Sequence, residues 1–252
     1  MAKRAKILDD PQRALTAPET YLQKAMAART RATRARYAKL GLASHDALDP
    51  TTHAMLLRQL FLSLFEGRRF KDAHAIAVQA IELGVLSDVL HQDAARAALA
   101  AGDLEGALGH LRAAARRCPP SRRSFHLWTL GGTLFLASRY AEAASALARA
   151  ARWGGGEKPL YRAHLALARI AGGDAVSDLQ ATIDRLAESP SGQGYGRFIL
   201  GHLAYAAGEW NAARRYLEAF VKRTGAQRVS MGIALEGELR MARATLKKMA
   251  AN

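Results

Sequence analysis

The chain has 252 residues, half of them hydrophobic, and a formal net charge of +15. It has no run of about 18 apolar residues, so no membrane-spanning helix is expected. Its single cysteine excludes an internal disulfide and a cysteine-rich metal site. The basic N-terminus runs into acidic residues and not into an apolar segment, so we expect no secretory signal and a cytoplasmic location.

The first fifty residues divide into two predicted segments. Residues 1–18 combine two prolines, mixed charge and little periodic hydrophobicity, which predicts a flexible basic tail. Residues 19–50 are predicted to hold an N-terminal capping helix, and Gly41 and Asp49-Pro50 are predicted to break the chain before the repeats begin. The stripe that predicts this helix consists of Leu22, Met26, Thr33, Tyr37 and Leu40.

The first forty residues are strongly basic. They hold ten lysines and arginines and only three acidic residues. Such an arm could neutralise phosphates and bind nucleic acid without reading its sequence. The alternative is that the arginines only solvate an alanine-rich helix. The candidate anion or nucleic-acid contacts in this arm are Arg29, Arg31, Arg34 and Arg36.

A short pattern that ends in alanine recurs along the rest of the chain. Its closing residues are Ala73, Ala107, Ala143 and Ala213, which are 34, 36 and 70 residues apart, so the last interval has room for one more unit. A period of about 34 residues with two helices per unit indicates a helical solenoid.

Small residues recur at fixed places in these units. The second helices carry small or apolar residues at i, i+4 and i+7, and the pairs Leu130-Gly131 and Leu200-Gly201 lie in the first helices. Small side chains there would let paired helices approach closely. Gly102 and Gly208 are predicted to lie in the turns between the two helices.

These residues together resemble the tetratricopeptide repeat. The resemblance implies an all-α, right-handed superhelical solenoid of about five helix pairs over residues 51–225, with the first helix of each pair on the concave face. An amphipathic segment over residues 226–252 is predicted to be a C-terminal capping helix. The fourth unit departs from the pattern, because Asp178 stands where alanine is expected and Ile183 and Leu186 are shifted by one residue.

The register of the repeats predicts a binding groove on the concave face. Aromatic residues stand five and two positions before the leucine of each Leu-Gly pair, and polar residues take related positions nearer the N-terminus. Such a groove would suit a peptide or helix of a protein partner with apolar and acidic character. The alternative is that the aromatic residues are buried between units, as we expect for Trp210. The candidate groove residues are Arg58, Gln92, Arg96, Phe125, Trp128, Phe135, Tyr195, Phe198, His202 and Tyr205.

A second basic cluster surrounds a pair of prolines. Arg116, Arg117, Arg122 and Arg123 flank Pro119-Pro120 and could hold a phosphate or a group of carboxylates. Alternatively, the first two arginines favour the negative end of one helix dipole.

No catalytic, metal or cofactor site is predicted. The eight histidines are scattered and match no catalytic or metal-binding motif, and Asp93 is interpreted as a solvated charge. The sequence therefore favours a non-enzymatic adaptor, or an assembly or secretion chaperone. The alternative is a nucleic-acid-associated protein that uses the two arginine clusters.

Overall fold

A computed structural model describes residues 17–44 and 48–251, and within these ranges the chain is all-α. The predicted tail lies outside the described residues except for its last two positions. The chain divides into two compact units, Met1–Ala107 and Leu108–Asn252. The helices of the first unit are α1 (Pro18–Ala27), α2 (Arg31–Leu42), α3 (Pro50–Glu66), α4 (Phe70–Ile81) and α5 (Ser87–Ala100).

The boundary between the units falls inside α6 (Leu104–Arg117). The helices that follow are α7 (Pro120–Leu136), α8 (Tyr140–Trp153), α9 (Lys158–Ala171), α10 (Leu179–Glu188), α11 (Gly196–Ala206), α12 (Trp210–Gly225), α13 (Val229–Ala234) and α14 (Glu236–Ala251). Inside each unit, helices pack against their neighbours in sequence. In the second unit α9 also contacts α7 and α11, and α11 contacts α14. Sequential packing of this kind is consistent with a helical repeat.

Five equivalent turns join the two helices of successive pairs. Each contains one residue with left-handed backbone, and the next N–H donates at 2.9 Å to the carbonyl five residues earlier, as Arg139 does to Leu134. This hydrogen bond closes the end of the first helix. The turns are 34 to 36 residues apart, the interval that the sequence predicts. The left-handed residues are Arg68, Gly102, Ser138, Gly173 and Gly208.

The Leu-Gly pairs mark close helix contacts, as predicted. A Cβ atom on Gly131 would lie 2.6 Å from Cγ of Leu147, and one on Gly201 would lie 2.5 Å from Cγ of Leu217. Both leucines are fully buried. The missing side chain in α7 and α11 therefore makes room for the leucine of the paired helix.

The fourth pair has an irregular second helix. Helix α10 begins six residues after its left-handed turn residue, whereas α4, α6, α8 and α12 begin two residues after theirs. Its buried Ile183 and Leu186 lie one position later than their counterparts, for example Leu147 and Ala150 in α8. The predicted shift of one residue is confirmed.

Both predicted capping segments contain two helices instead of one. Ala28 has an extended backbone that ends α1, and the Thr30 hydroxyl caps α2 by accepting from the Thr33 N–H at 3.1 Å. The predicted stripe therefore does not continue across the break: Met26 is exposed, and Tyr21 and Ala25 are buried instead. In the C-terminal segment, a break at Leu235 separates α13 from α14.

None of the helices in the described ranges combines the length and the apolar character that a membrane crossing requires.

Candidate functional site

An aromatic patch lies where α7 faces the start of α11 in the second unit. It consists of Phe125, Trp128 and Tyr195. The ring centroid of Trp128 lies 5.9 Å from that of Phe125 and 4.9 Å from that of Tyr195. Phe125 is 40 % exposed, and the other two are partly exposed. A contiguous, accessible aromatic surface on rigid helices is typical of protein-binding sites.

A hydrogen bond between helices holds the centre of the patch. The indole N–H of Trp128 in α7 donates to Nδ1 of His164 in α9 at 3.1 Å. The His164 proton is therefore on Nε2, which is buried and has no hydrogen-bond partner in the described residues. A polar and fully buried side chain therefore lies beneath the aromatic patch. We call His164 and the nearby His202 the histidine floor of the patch.

Burial keeps the histidines of this floor neutral. It lowers the pKa of His164 to about 3, with a smaller contribution from the nearby His202, and lowers the pKa of His202 to about 4. Both values lie well below neutral pH, so neither imidazole is charged there. Nε2 of His202 also lacks a hydrogen-bond partner in the described part of the chain.

A second polar contact ties the patch to the C-terminal helix. The Tyr195 hydroxyl donates to Oε1 of Glu238 in α14 at 3.3 Å. Burial raises the pKa of Glu238 to about 7, although this hydrogen bond acts in the opposite direction. Burial, followed by the negative charge of Glu238, also raises the pKa of Tyr195. The carboxyl group therefore changes its charge near neutral pH.

Several predicted groove residues lie in the core and not on a surface. Phe198 is 0 % exposed and packs on Phe220 and His202, with ring centroids 5.4 Å and 4.7 Å away. Phe135, Gln92 and His202 are also buried. For Phe135 and Phe198 this is the alternative stated for the aromatic residues, in which the side chains pack inside the array.

Tyr205 and Trp210 form a separate aromatic pair at the turn after α11. Their ring centroids lie 5.2 Å apart with the rings edge to face. Tyr205 is partly exposed, but Trp210 is 51 % exposed, contrary to the packing role expected for it. It stands at the first position of α12, where one ring contact covers only part of the indole.

In the first unit, two predicted groove arginines share one buried carboxylate. Nε of Arg58 donates to Asp93 at 2.5 Å, and Nη1 of Arg96 donates to the other oxygen of Asp93 at 3.3 Å. The interpretation of Asp93 as a solvated charge is wrong, because its side chain is only 2 % exposed. The buried carboxylate offsets part of the positive charge predicted here.

The N-terminal arginines have different environments. Arg34 forms a salt bridge with Glu66 at 2.6 Å and joins α2 to α3. The carbonyl of Arg31 accepts a hydrogen bond from the Ser63 hydroxyl, and Arg31 itself is exposed. Arg29 and Arg36 are exposed. Arg34 therefore has a structural contact, and the other three are accessible to an anion.

The arginines around the proline pair end α6 and begin α7. Arg116 and Arg117 occupy the last turn of α6, and Arg122 is exposed in the first turn of α7. The Arg123 guanidinium lies 5.9 Å from the ring centroid of Trp153. Arg123 is therefore partly engaged in a cation–π contact.

Sequence reasoning did not find three parts of this site: Glu238, the floor role of His164, and Tyr161, whose ring centroid lies 5.9 Å from that of Trp128. His164 stands 36 residues after Trp128, close to one repeat, which is the only signal that could have paired them. Within the described ranges, no group of three or more His, Cys, Asp or Glu side chains is arranged to hold a metal ion. Comparison with known proteins gives no matching family model and no curated relative with significant similarity.

Proposed function

We propose that the protein is a non-enzymatic adaptor of the tetratricopeptide-like class, or an assembly or secretion chaperone, whose helix pairs continue as a right-handed superhelix. It would bind a peptide or helix of a protein partner. The observation that carries this proposal is the aromatic patch, in which the Trp128 ring contacts those of Phe125 and Tyr195 and all three residues keep part of their surface exposed.

The surroundings of the patch favour a partner with apolar and acidic residues. Arg122 and Arg123 stand three and two residues before Phe125, and Arg197 follows Tyr195 by two residues. Cations beside an aromatic anchor attract carboxylates and speed the encounter with an acidic partner. The aromatic rings would supply most of the binding free energy, as central aromatic residues do in other interfaces.

The Trp128–His164 hydrogen bond supports this proposal by fixing the indole before a partner arrives. A fixed side chain loses little conformational freedom on binding, which improves affinity. The partly exposed Arg58 and Arg96 of the first unit are candidates for further contacts, since Asp93 fixes both of them.

Affinity capture with matched variants tests the adaptor function. Proteins retained by the wild-type chain would be compared with those retained by Phe125→Ala and by Trp210→Ala, which removes an exposed aromatic side chain elsewhere in the same unit. The proposal predicts one or a few proteins that bind the wild type and the Trp210 variant but not the Phe125 variant. Equal retention by all three chains would contradict it.

A second candidate function is nucleic-acid binding. Its support is the set of exposed arginines without a salt bridge in the described part of the chain, including Arg29, Arg36 and Arg116. Affinity for a generic duplex should then fall steeply between about 50 and 200 mM salt. Neutralising these three arginines should weaken the binding and make it less dependent on salt, whereas Phe125→Ala should leave it unchanged.

A further inference from the structure

A basic pocket lies between α9 and α10 of the second unit, apart from the aromatic patch. Its volume is about 350 Å³, which is within the range of small-molecule sites. The connection after α8, the start of α9 and one face of α10 line it. The lining residues that matter here are Gly155, Gly156, Lys158, Arg162, Thr182 and Arg185.

The charge of the pocket is unbalanced. Lys158, Arg162 and Arg185 line it, and no acidic residue does. None of the three forms a salt bridge in the described ranges. Three cations that line one cavity repel one another, and an anion bound among them would offset this repulsion.

The acidic neighbours of the cations do not line the pocket. Glu157 is adjacent to Lys158 in the chain and is exposed, as Arg162 and Arg185 are, but it is not part of the pocket wall. Asp184, next to Arg185, accepts a hydrogen bond from Gln180 at 3.0 Å. The Thr182 hydroxyl already donates to the carbonyl of Asp178 at 2.9 Å.

Packing does not account for two of the glycines. A Cβ atom on Gly154 would lie 2.8 Å from the ring of Tyr161, so that position requires glycine. At Gly155 and Gly156, a Cβ atom would meet nothing within 4 Å, and neither has left-handed backbone. Glycines in a pocket wall allow a ligand to approach the backbone N–H groups closely.

We propose that this pocket binds a small phosphate-bearing anion, with Lys158, Arg162 and Arg185 as its ligands. Arginine forks match phosphate oxygens in pairs, and lysine adds a point charge. The three positive charges of the lining exceed the charge of about −2 that one phosphate group carries, so we assign the pocket to diphosphate-type ligands. This site is independent of the proposed adaptor function.

Isothermal titration calorimetry with pyrophosphate tests this site. The wild type should bind one equivalent, and Arg162→Gln/Arg185→Gln should weaken binding at least about tenfold, since charge-assisted hydrogen bonds are lost. The control is Arg169→Gln, which removes an exposed arginine of α9 that does not line the pocket. This variant should bind pyrophosphate with the affinity of the wild type. The absence of saturable wild-type binding, or equal affinity in the double variant, would overturn the proposal.

Two further probes identify the ligand and the place. ADP should bind at least as tightly as pyrophosphate if the natural ligand is a nucleotide, and more weakly if it is a free polyphosphate. In NMR spectra of the wild type, pyrophosphate should shift the amide signals of Gly155 and Gly156. Both shifts should follow the binding curve that calorimetry gives. Shifts confined to other arginine-rich segments would place the anion elsewhere and contradict the assignment.

Discussion

The indole N–H of Trp128 donates to Nδ1 of His164 at 3.1 Å, and this bond joins α7 to α9 beneath the aromatic patch. The His164 side chain is fully buried, with its other ring nitrogen unpartnered in the described residues. Loss of the indole donor would leave both nitrogens of a buried imidazole without a hydrogen bond.

Trp128→Phe should therefore destabilise the fold by about 1–3 kcal/mol, the usual cost of an orphaned buried polar group. Urea unfolding followed by circular dichroism measures this change. Trp210→Phe is the control, because Trp210 is half exposed and its indole N–H has no hydrogen bond within the described residues. Equal free energies of unfolding for both variants would show that the bond contributes nothing.

The buried histidines predict acid sensitivity. The folded pKa values of about 3 for His164 and about 4 for His202 lie below the unfolded value of 6.5, so the unfolded chain takes up protons first. Their contribution to the free energy of unfolding is therefore fully present above pH 6.5 and is lost as the pH falls toward 3. For His164 the total loss is on the order of 4–5 kcal/mol. The free energy of unfolding of His164→Phe should depend less on pH between 6.5 and 4. An unchanged slope would contradict the burial effect.

Glu238 predicts the opposite dependence. Its pKa rises from 4.5 to about 7 in the folded chain, so its contribution is most favourable below pH 4.5 and is lost as the pH rises to 7. Glu238→Gln should therefore stabilise the protein at pH 8 relative to the wild type by about 3 kcal/mol, and little or not at all at pH 4.5. Unfolding curves at the two pH values measure this difference. A glutamine variant that is less stable at pH 8 would show that the ionised carboxylate is favourable there.

The contact between Gly131 and Leu147 predicts an overpacking effect. Gly131→Ala places a methyl group where the Leu147 side chain lies, and it should cost about 1–3 kcal/mol in unfolding free energy. Gly109→Ala is the control: a Cβ there meets nothing, and alanine is the better helix former, so stability should rise by about 0.5–1 kcal/mol. If Gly131→Ala were neutral as well, the helices would not be held at this spacing.

Much of the fold could be predicted because it depends on local, repeated features. The alanine spacing and the Leu-Gly pairs report helix faces and close contacts directly, and even the one-residue shift at Ile183 is visible in the sequence. Two turn residues were not predictable: Arg68 and Ser138 adopt the left-handed backbone that glycine has in the other three turns. The hydrogen bond that closes these turns offsets the strain, and composition does not reveal it.

The site was harder to predict, because the exposure of a side chain depends on which residues the neighbouring helix pairs place against it. Trp128 and Phe198 both stand two positions before the leucine of a Leu-Gly pair, yet Trp128 is partly exposed and Phe198 is fully buried against Phe220. Trp210 was expected to pack by analogy with its counterparts, but it is 51 % exposed although its ring contacts that of Tyr205. Long-range partners such as Tyr195 and Glu238, 43 residues apart, leave no local signal.

The most direct test of the adaptor function is photo-crosslinking from the patch itself. A benzophenone amino acid at position 125 should give a discrete covalent adduct with one partner, and the same group at position 210 should not. The adduct should disappear when Trp128→Ala is added, provided that circular dichroism shows the variant to be folded. Identical adduct patterns from positions 125 and 210, or none from position 125, would contradict the account.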